Sequence, residues 1–230
     1  MLVFAERKMR NRILKPIVFA VALIPLVRLV VLGYLGELGA NPIEMITHQT
    51  GLWTLILLLL TLTITPLRRL TGQLWLIQYR RMLGLFAFFY AVLHLITYVW
   101  LDQFFNFQAM LKDVGKRPFI TMGAAAFLLL VPLALTSTKG AIRRLGRRWQ
   151  QLHRLVYFSA AAGVIHFLWL VKKDIRQPVI YALILGVLLG YRVVAATAKS
   201  RSSSQQQGRR PARVGQLEPV CEPTTPQAKS

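Results

Sequence analysis

The sequence contains a single cysteine, Cys221, which lies in a polar C-terminal segment. One cysteine cannot form an internal disulfide, and it cannot supply a cysteine-based metal or iron–sulfur site within one chain. The sequence also lacks the glycine-rich patterns that bind dinucleotides and nucleoside triphosphates. Any redox chemistry therefore needs ligands other than cysteine and an electron source other than a nicotinamide bound by this chain.

Acidic residues are also scarce, with 8 Asp and Glu against 29 Lys and Arg, for a net charge of +21. Charged residues make up 16% of the chain and hydrophobic ones 55%, whereas soluble domains average about 25% charged. A strong positive charge can indicate nucleic-acid binding. Here the basic residues cluster between apolar segments, as in the loops of membrane proteins. We therefore predict an integral membrane protein with no nucleic-acid partner.

Apolar segments of membrane-spanning length recur along the chain, and we predict an all-α fold, an integral membrane six-helix bundle. A lipid-exposed span of this length can satisfy its backbone hydrogen bonds only as an α-helix. The predicted spans are 16–35, 52–66, 82–101, 118–136, 154–171 and 178–195. A basic N-terminal segment, 1–15, precedes the transmembrane domain, 16–195. The tail, 196–230, is rich in Ser, Gln and Pro and is predicted to be disordered. We see no long internal repeat.

The distribution of Lys and Arg predicts the orientation. Alternate segments hold 22 of these residues and the remaining connections hold 6. The basic segments are 1–15, 67–81, 137–154 and the tail from 192 on. Because cytoplasmic loops carry the excess of Lys and Arg, both termini are predicted to be cytoplasmic.

Three of the four histidines lie in the apolar segments or at their ends: His94, His153 and His166. An ionisable side chain within lipid is costly and indicates a functional partner. His94 and His166 fall at nearly the same depth in two spans that run in the same direction. We predict that they are the axial ligands of one haem iron, an arrangement that suits electron transfer.

His153 lies 13 residues before His166, or about 20 Å along an ideal helix. It is a further candidate haem ligand, but Arg81 occupies the matching depth in the other span. An ideal helix would turn the two imidazoles roughly 140° apart. Either the helix begins irregularly near His153, or the two histidines have different partners.

Five weaker cofactor-binding candidates are His48, Arg28, Arg80, Arg81 and Arg148. His48 is either an interfacial residue, a propionate partner or an alternative axial ligand. Arg28 either reaches the headgroups or pairs with a haem propionate. The other three arginines either set the orientation or bind a propionate, a flavin phosphate or an acidic redox partner.

Several stretches resemble the MsrQ (YedZ) family, the haem-binding membrane subunits of periplasmic methionine sulfoxide reductase systems, which have a ferric reductase-like transmembrane domain. The resemblance covers about residues 10–195, and the stretch 135–169 is the most specific. The matching stretches are GANPIEMITHQTG, ITPLRR, RRMLGLFAFFYAVLHLITY, RPFITMG and LTSTKGAIRRLGRRWQQLHRLVYFSAAAGVIHFLW.

The resemblance implies an electron-transfer subunit of the bacterial inner membrane rather than a catalytic subunit. It implies haem b and FMN as cofactors, with His94, His153 and His166 in the positions of the family's haem histidines. The implied acceptor is a periplasmic molybdopterin-containing methionine sulfoxide reductase, which repairs oxidised proteins. The implied donor is a cytosolic flavin reductase or the quinone pool.

Two alternatives remain open from the sequence. One is a ferric reductase or quinol-oxidising cytochrome b with another acceptor. The other is a non-redox membrane transporter or scaffold, which would show no haem absorbance.

Overall fold

The computed structural model describes residues 2–171 and 174–208, with side chains described over 13–171 and 174–198. These residues contain helices and turns and no strand. The helices are α1 Leu2–Tyr34, α2 Pro42–Thr71, α3 Ile77–Ile96, α4 Phe107–Lys116, α5 Pro118–Leu135, α6 Lys139–Leu145, α7 Arg147–Leu152, α8 Leu155–Leu170 and α9 Arg176–Gly208. A 3₁₀ turn, Leu74–Leu76, precedes α3, and a π-helical turn, Thr97–Asp102, follows it.

The predicted all-α membrane bundle is confirmed, with spans that differ in length from the prediction. Five helices are long and apolar enough to cross a bilayer: α1, α2, α3, α5 and α9. The remaining predicted span, 154–171, corresponds to α8, which has 16 residues and is therefore about 24 Å long. The division into segments 1–15, 16–195 and 196–230 stays a prediction. Helix α9 runs to Gly208, and residues 209–230 of the tail lie outside the described residues.

Helix α2 begins ten residues before the predicted span because its start is capped. The Asn41 side chain accepts a hydrogen bond from the Glu44 backbone N–H (3.3 Å), and Pro42 occupies the first helical turn. Both features favour a helix N-terminus, because the cap satisfies a free N–H and proline has none to lose. The helix ends at Gly72, whose φ of 69° is easily adopted only by glycine.

The part of the chain up to Arg192 forms one compact unit, and the residues from Val193 on belong to another. Within the first, the closest packing is between α2 and α3 and between α5 and α8. The two pairs meet through one apolar core, whose most buried members include Leu62, Ala87, Tyr90 and Ala160. The core therefore holds two helix pairs together side by side.

Charged side chains divide the bundle into two ends. All five acids among the described side chains lie at one end, which we call the acid-bearing side: Glu37, Glu44, Asp102, Asp113 and Asp174. The opposite end, the arginine-rich side, contains the connection from α2 to α3 and the helices α6 and α7. Its arginines include Arg68, Arg69, Arg80, Arg81, Arg143, Arg144, Arg147 and Arg148.

Prolines inside the spans leave backbone groups that side chains from other helices satisfy. Pro66 has no N–H, so the Leu62 carbonyl lacks its usual helical donor. Arg192 of α9 donates to that carbonyl through Nη2 at 2.7 Å. The same guanidinium donates to the Tyr157 hydroxyl and lies 4.7 Å from the centre of its ring. An arginine that would be costly in lipid is thus paired on two sides.

Tyr90 makes another contact between helices next to a proline, Pro25 of α1, but with the Ala22 and Leu26 backbone rather than with the Val21 carbonyl that Pro25 leaves open. Its hydroxyl donates to the Ala22 carbonyl at 2.8 Å and accepts from the Leu26 N–H at 3.2 Å. The side chain is fully buried, at 0% exposure. The tyrosine therefore joins α3 to α1 at the turn where proline disturbs the helix.

We expect Tyr90→Phe to destabilise the bundle. The change removes the hydroxyl that joins α3 to the Ala22 carbonyl and the Leu26 N–H of α1, and the loss of a hydrogen bond costs about 0.5–1.5 kcal/mol. The measurement is the thermal melting of helicity, followed by circular dichroism in detergent. Tyr34→Phe is the matched control, because Tyr34 is 92% exposed. Equal melting temperatures for the two variants would contradict the role given to Tyr90.

Candidate functional site

The imidazoles of His94 and His166 face each other inside the bundle. His94 lies near the end of α3 and His166 near the end of α8, both toward the acid-bearing side. Their ring centres are 6.1 Å apart, and the ring planes are inclined by 78°. The structure thus brings together the two histidines that depth counting paired.

Each of these histidines is held by a backbone carbonyl on a neighbouring helix. Nδ1 of His94 is 2.9 Å from the Thr47 carbonyl oxygen of α2, and Nδ1 of His166 is 2.6 Å from the Phe119 carbonyl oxygen of α5. A carbonyl can only accept, so Nδ1 carries the proton and donates in both cases. Nε2 therefore keeps its lone pair, which is the form in which a histidine binds a metal.

A glycine lies against each imidazole, one helical turn after the carbonyl that holds it. A Cβ added to Gly51 would lie 3.0 Å from Cε1 and 3.1 Å from Nδ1 of His94. A Cβ added to Gly123 would lie 2.8 Å from Nδ1 and 3.0 Å from Cε1 of His166. Both rings therefore occupy space that any other residue type at these positions would fill.

The two histidine sites are copies of one arrangement. Each histidine is 47 residues after the residue whose carbonyl it contacts. The second set follows the first by 72 residues throughout: Thr47 by Phe119, Gly51 by Gly123, and His94 by His166. The helix pairs α2–α3 and α5–α8 are thus equivalent units, and the structure contains the internal repeat that we did not see in the sequence.

The backbone changes its helical form directly after His94. The π-helical turn begins at Thr97, whose hydroxyl donates to the His94 carbonyl at 2.8 Å. Such π turns are found mostly as single turns within helices and often at functional sites. Here the turn ends α3 just beyond the histidine and leads into the connection to α4.

His153 lies at the arginine-rich side, in the turn between α7 and α8. Its ring stacks on Trp149, with centres 3.9 Å apart, and its Nδ1 is 3.1 Å from the Trp149 carbonyl oxygen. Burial lowers the pKa of His153; the hydrogen bond to Trp149 opposes this, and the Arg80 guanidinium lowers the pKa further. Burial and the nearby guanidinium therefore both favour the neutral imidazole.

One of the two possibilities left open for His153, an irregular helix start, is present at the break between α7 and α8. The helix does begin irregularly, because α8 starts at Leu155 and His153 precedes it in the turn. The arginine near His153 is Arg80, which is half-buried, whereas Arg81 is exposed. Depth counting pointed to Arg81, because it fixes the level along a span and not the direction around the helix.

The other weak candidates have different surroundings. His48 follows Thr47 in α2, and its ring lies edge-on to Phe167 at 5.7 Å between centres. His48 therefore contacts Phe167, the residue that directly follows His166. Arg28 is exposed on α1 among apolar side chains, and Arg148 is exposed on α7. In the part of the chain that the structure describes, no hydrogen bond or ring contact joins these two arginines to the histidine pair.

Sequence reasoning missed the residues that hold the histidines. Thr47 and Phe119 act through backbone carbonyls, for which the side chain gives no signal. The glycines did leave a trace, since the spacing from Gly51 to His94 equals that from Gly123 to His166. Across 13–171 and 174–198, no group of three or more His, Cys, Asp or Glu residues could hold a metal ion. A haem iron needs only two protein ligands, because the porphyrin supplies four.

The fold and the comparisons define a class of protein. Residues 50–164 match the family described as "Ferric reductase like transmembrane component". The chain is therefore a multi-pass membrane protein with a ferric reductase-like transmembrane domain, and no solved structure matches it.

More similar relatives identify the family within this class. The chain is 51% identical to the "Protein-methionine-sulfoxide reductase heme-binding subunit MsrQ" of Herminiimonas arsenicoxydans, over 94% of this chain and all of the relative. It is 55% identical to the protein of the same name from Azospira oryzae, over 79% of this chain and 78% of the relative. For the Ralstonia nicotianae protein the identity is 54%, over 76% and 82%. The chain belongs to the MsrQ family, which confirms the resemblance found in the sequence.

Proposed function

We propose that this chain is the haem-binding membrane subunit of a methionine sulfoxide reductase system, and that it transfers electrons through haem b. The observation that carries the proposal is the facing pair of imidazoles, His94 and His166, each anchored through Nδ1 with Nε2 left to bind a metal. The names of the relatives support it, since they describe heme-binding subunits of such a reductase.

The spacing of the two rings fits a haem iron. A bond from a metal to an imidazole nitrogen is about 2 Å long, and the ring centre lies about 1 Å further back. Two axial imidazoles on one metal therefore have centres roughly 6 Å apart. The observed separation is 6.1 Å. The residues present thus fit a haem held by His94 and His166.

An unpaired hydroxyl beside the histidine pair also fits a bound group. The Thr47 Oγ1 atom is buried and has no hydrogen-bond partner within the described residues. Buried hydroxyls nearly always have a partner, so an orphan indicates a group that remains to be bound. Thr47 is also the residue whose carbonyl holds His94.

Haem with two axial histidines carries one electron at a time and leaves no axial position open for oxygen. The chain's own residues hold and insulate that group. The Thr47 and Phe119 carbonyls keep the Nδ1 protons in place and fix the orientation of the rings. The buried side chains of Leu55, Val164 and Phe167 exclude water from the neighbouring core.

We propose that electrons enter from the arginine-rich side. By the positive-inside rule we infer that this side and both termini are cytoplasmic. The inner-membrane location is proposed from the family resemblance. His153 lies on the arginine-rich side near Arg80, and it is roughly 20 Å from His166 by helical rise. A second haem held by His153 would connect that side to the histidine pair. Exposed Arg81 and Arg148 would attract an acidic redox partner.

The proposed donor is a cytosolic flavin reductase or the quinone pool. The proposed acceptor is a periplasmic molybdopterin-containing methionine sulfoxide reductase that meets the acid-bearing side. FMN remains a proposal that rests on the family resemblance, and no group of residues described above is assigned to it. The second candidate function is a ferric reductase or quinol-oxidising cytochrome, which the match to the ferric reductase-like family favours.

We expect the wild-type protein to show a Soret band. We expect His94→Ala and His166→Ala each to lose most of the haem that is bound by two histidines. Either change removes one axial ligand, and a single imidazole cannot form the low-spin pair. The measurement is haem content by absorbance together with low-temperature electron paramagnetic resonance. Trp169→Ala is the control on α8, because that side chain is 50% exposed and has no part in the histidine pair. Full haem content in both ligand variants would disprove the assignment.

We expect His153→Ala to leave the signal of the His94–His166 pair in place but to slow haem reduction from the arginine-rich side. The reason is that His153 lies at the other end of the span and shares no contact with the pair. Stopped-flow absorbance with a flavin reductase added to proteoliposomes gives the rate. A wild-type rate in this variant would remove His153 from the electron path.

The acceptor can be tested by reoxidation of the reduced protein. We expect the purified sulfoxide reductase partner plus methionine sulfoxide to reoxidise the haem many times faster than ferric citrate does. Absorbance at the reduced haem band follows both reactions. Faster reoxidation by ferric citrate would favour the ferric reductase, and absence of any haem would favour the non-redox alternative.

A further inference from the structure

The carbonyls that hold His94 and His166 belong to helical turns, which limits how an imidazole can reach them. In an α-helix the carbonyl of residue i accepts a hydrogen bond from the N–H of residue i+4. Gly51 and Gly123 are the i+4 residues of Thr47 and Phe119. Each carbonyl must therefore accept from a histidine on another helix in addition to its own helical donor. The Thr50 hydroxyl lies 3.0 Å from the Thr47 carbonyl as well, but it is closer to the Ile46 carbonyl, at 2.8 Å.

A side chain at position i+4 would cover that lone pair. The Cα–Cβ bond of a helical residue tilts toward the N-terminus, so the side chain at i+4 lies over the turn that contains the carbonyl of residue i. The added Cβ atoms would lie within 3.0–3.1 Å of the His94 ring at Gly51 and within 2.8–3.0 Å of the His166 ring at Gly123. Glycine is the residue that leaves the carbonyl open to the imidazole.

We propose that Gly51 and Gly123 are positioning residues that set the orientation and donor strength of the two axial imidazoles. The inference rests on the proposed function, in which His94 and His166 hold a haem iron. The glycines act through the histidines: they admit each ring to the carbonyl one turn earlier. The same arrangement of carbonyl, glycine and histidine occurs twice, 72 residues apart. The repetition indicates that the glycines serve the histidines rather than one particular helix contact.

The consequence for the iron follows from the hydrogen bond. An imidazole whose Nδ1–H donates to a carbonyl is a stronger donor to a metal, and losing such a partner lowers metal affinity about 10- to 100-fold. A stronger axial donor favours the oxidised iron. A methyl group at either glycine would displace the ring and weaken the bond from Nδ1.

The test is to compare Gly51→Ala and Gly123→Ala with two glycine-to-alanine controls in the same bundle. At Gly84 an added Cβ would meet the Thr61 Cγ2 atom at 3.8 Å, and at Gly163 it would meet the Leu55 Cδ1 atom at 3.8 Å. These are ordinary contacts on α3 and α8, the helices that carry the histidines. The controls therefore report the effect of a methyl group on the bundle without a histidine behind it.

Three measurements on the purified holoprotein give the answer: haem retention on dilution, the midpoint potential, and the g-values of the oxidised low-spin haem. We expect Gly51→Ala and Gly123→Ala to lose haem affinity by about 10-fold or more, to have a higher midpoint potential and to show shifted g-values. The effect should be larger for Gly123→Ala, because its contact is shorter and the hydrogen bond beside it is 2.6 Å rather than 2.9 Å. Gly84→Ala and Gly163→Ala should keep the wild-type values.

Circular dichroism shows which variants are folded. If Gly123→Ala fails to fold, Gly51→Ala decides the matter, since its contact is milder. The proposal would be overturned if a folded Gly51→Ala or Gly123→Ala protein had the g-values, midpoint potential and haem affinity of the wild type. It would also be overturned if Gly84→Ala and Gly163→Ala showed equal shifts. A wild-type protein without a Soret band would instead overturn the proposed function.

Discussion

A hydrogen bond from a buried imidazole to the backbone of another helix is the interaction on which this structure depends. A polar ring within lipid must find a partner, and the one available in an apolar span is a carbonyl already engaged in its own helix. His94 uses the carbonyl of Thr47 and His166 that of Phe119. Because each bond crosses between helices, it fixes the histidine, its tautomer and the packing of the helix pair together.

The bundle is built from two such pairs, and the differences between them are as informative as the likeness. The shared features lie toward the acid-bearing side, where two histidines meet symmetrically. At the arginine-rich side the symmetry is lost: the counterpart of His153, 72 residues earlier, is Arg81, which points outward. The repeat therefore provides one balanced site between the pairs and one asymmetric site, where His153 stacks on Trp149 near Arg80.

The sequence predicted the membrane spans and the matched depth of His94 and His166, because hydropathy and helical rise are additive along a chain. It predicted poorly which direction a side chain faces around its helix. Whether Arg80 or Arg81 lies near His153 depends on where α7 ends and α8 begins, and two short helices separated by a turn give no periodic pattern to count. The carbonyl partners could not be predicted, since Thr47 and Phe119 share no side-chain chemistry. The early start of α2 was readable from Asn41 and Pro42, but the polar residues that follow them, such as His48 and Gln49, made hydropathy start the span too late.

The contact between Arg192 and the Leu62 carbonyl has a consequence for biogenesis. The carbonyl is left open by Pro66, and the guanidinium belongs to α9, which is synthesised later because Arg192 follows Leu62 by 130 residues. Each group is costly when it meets lipid alone, and each becomes satisfied when the other arrives. Stable insertion of α9 is therefore coupled to its pairing with α2, because each helix carries a polar group that only the other satisfies.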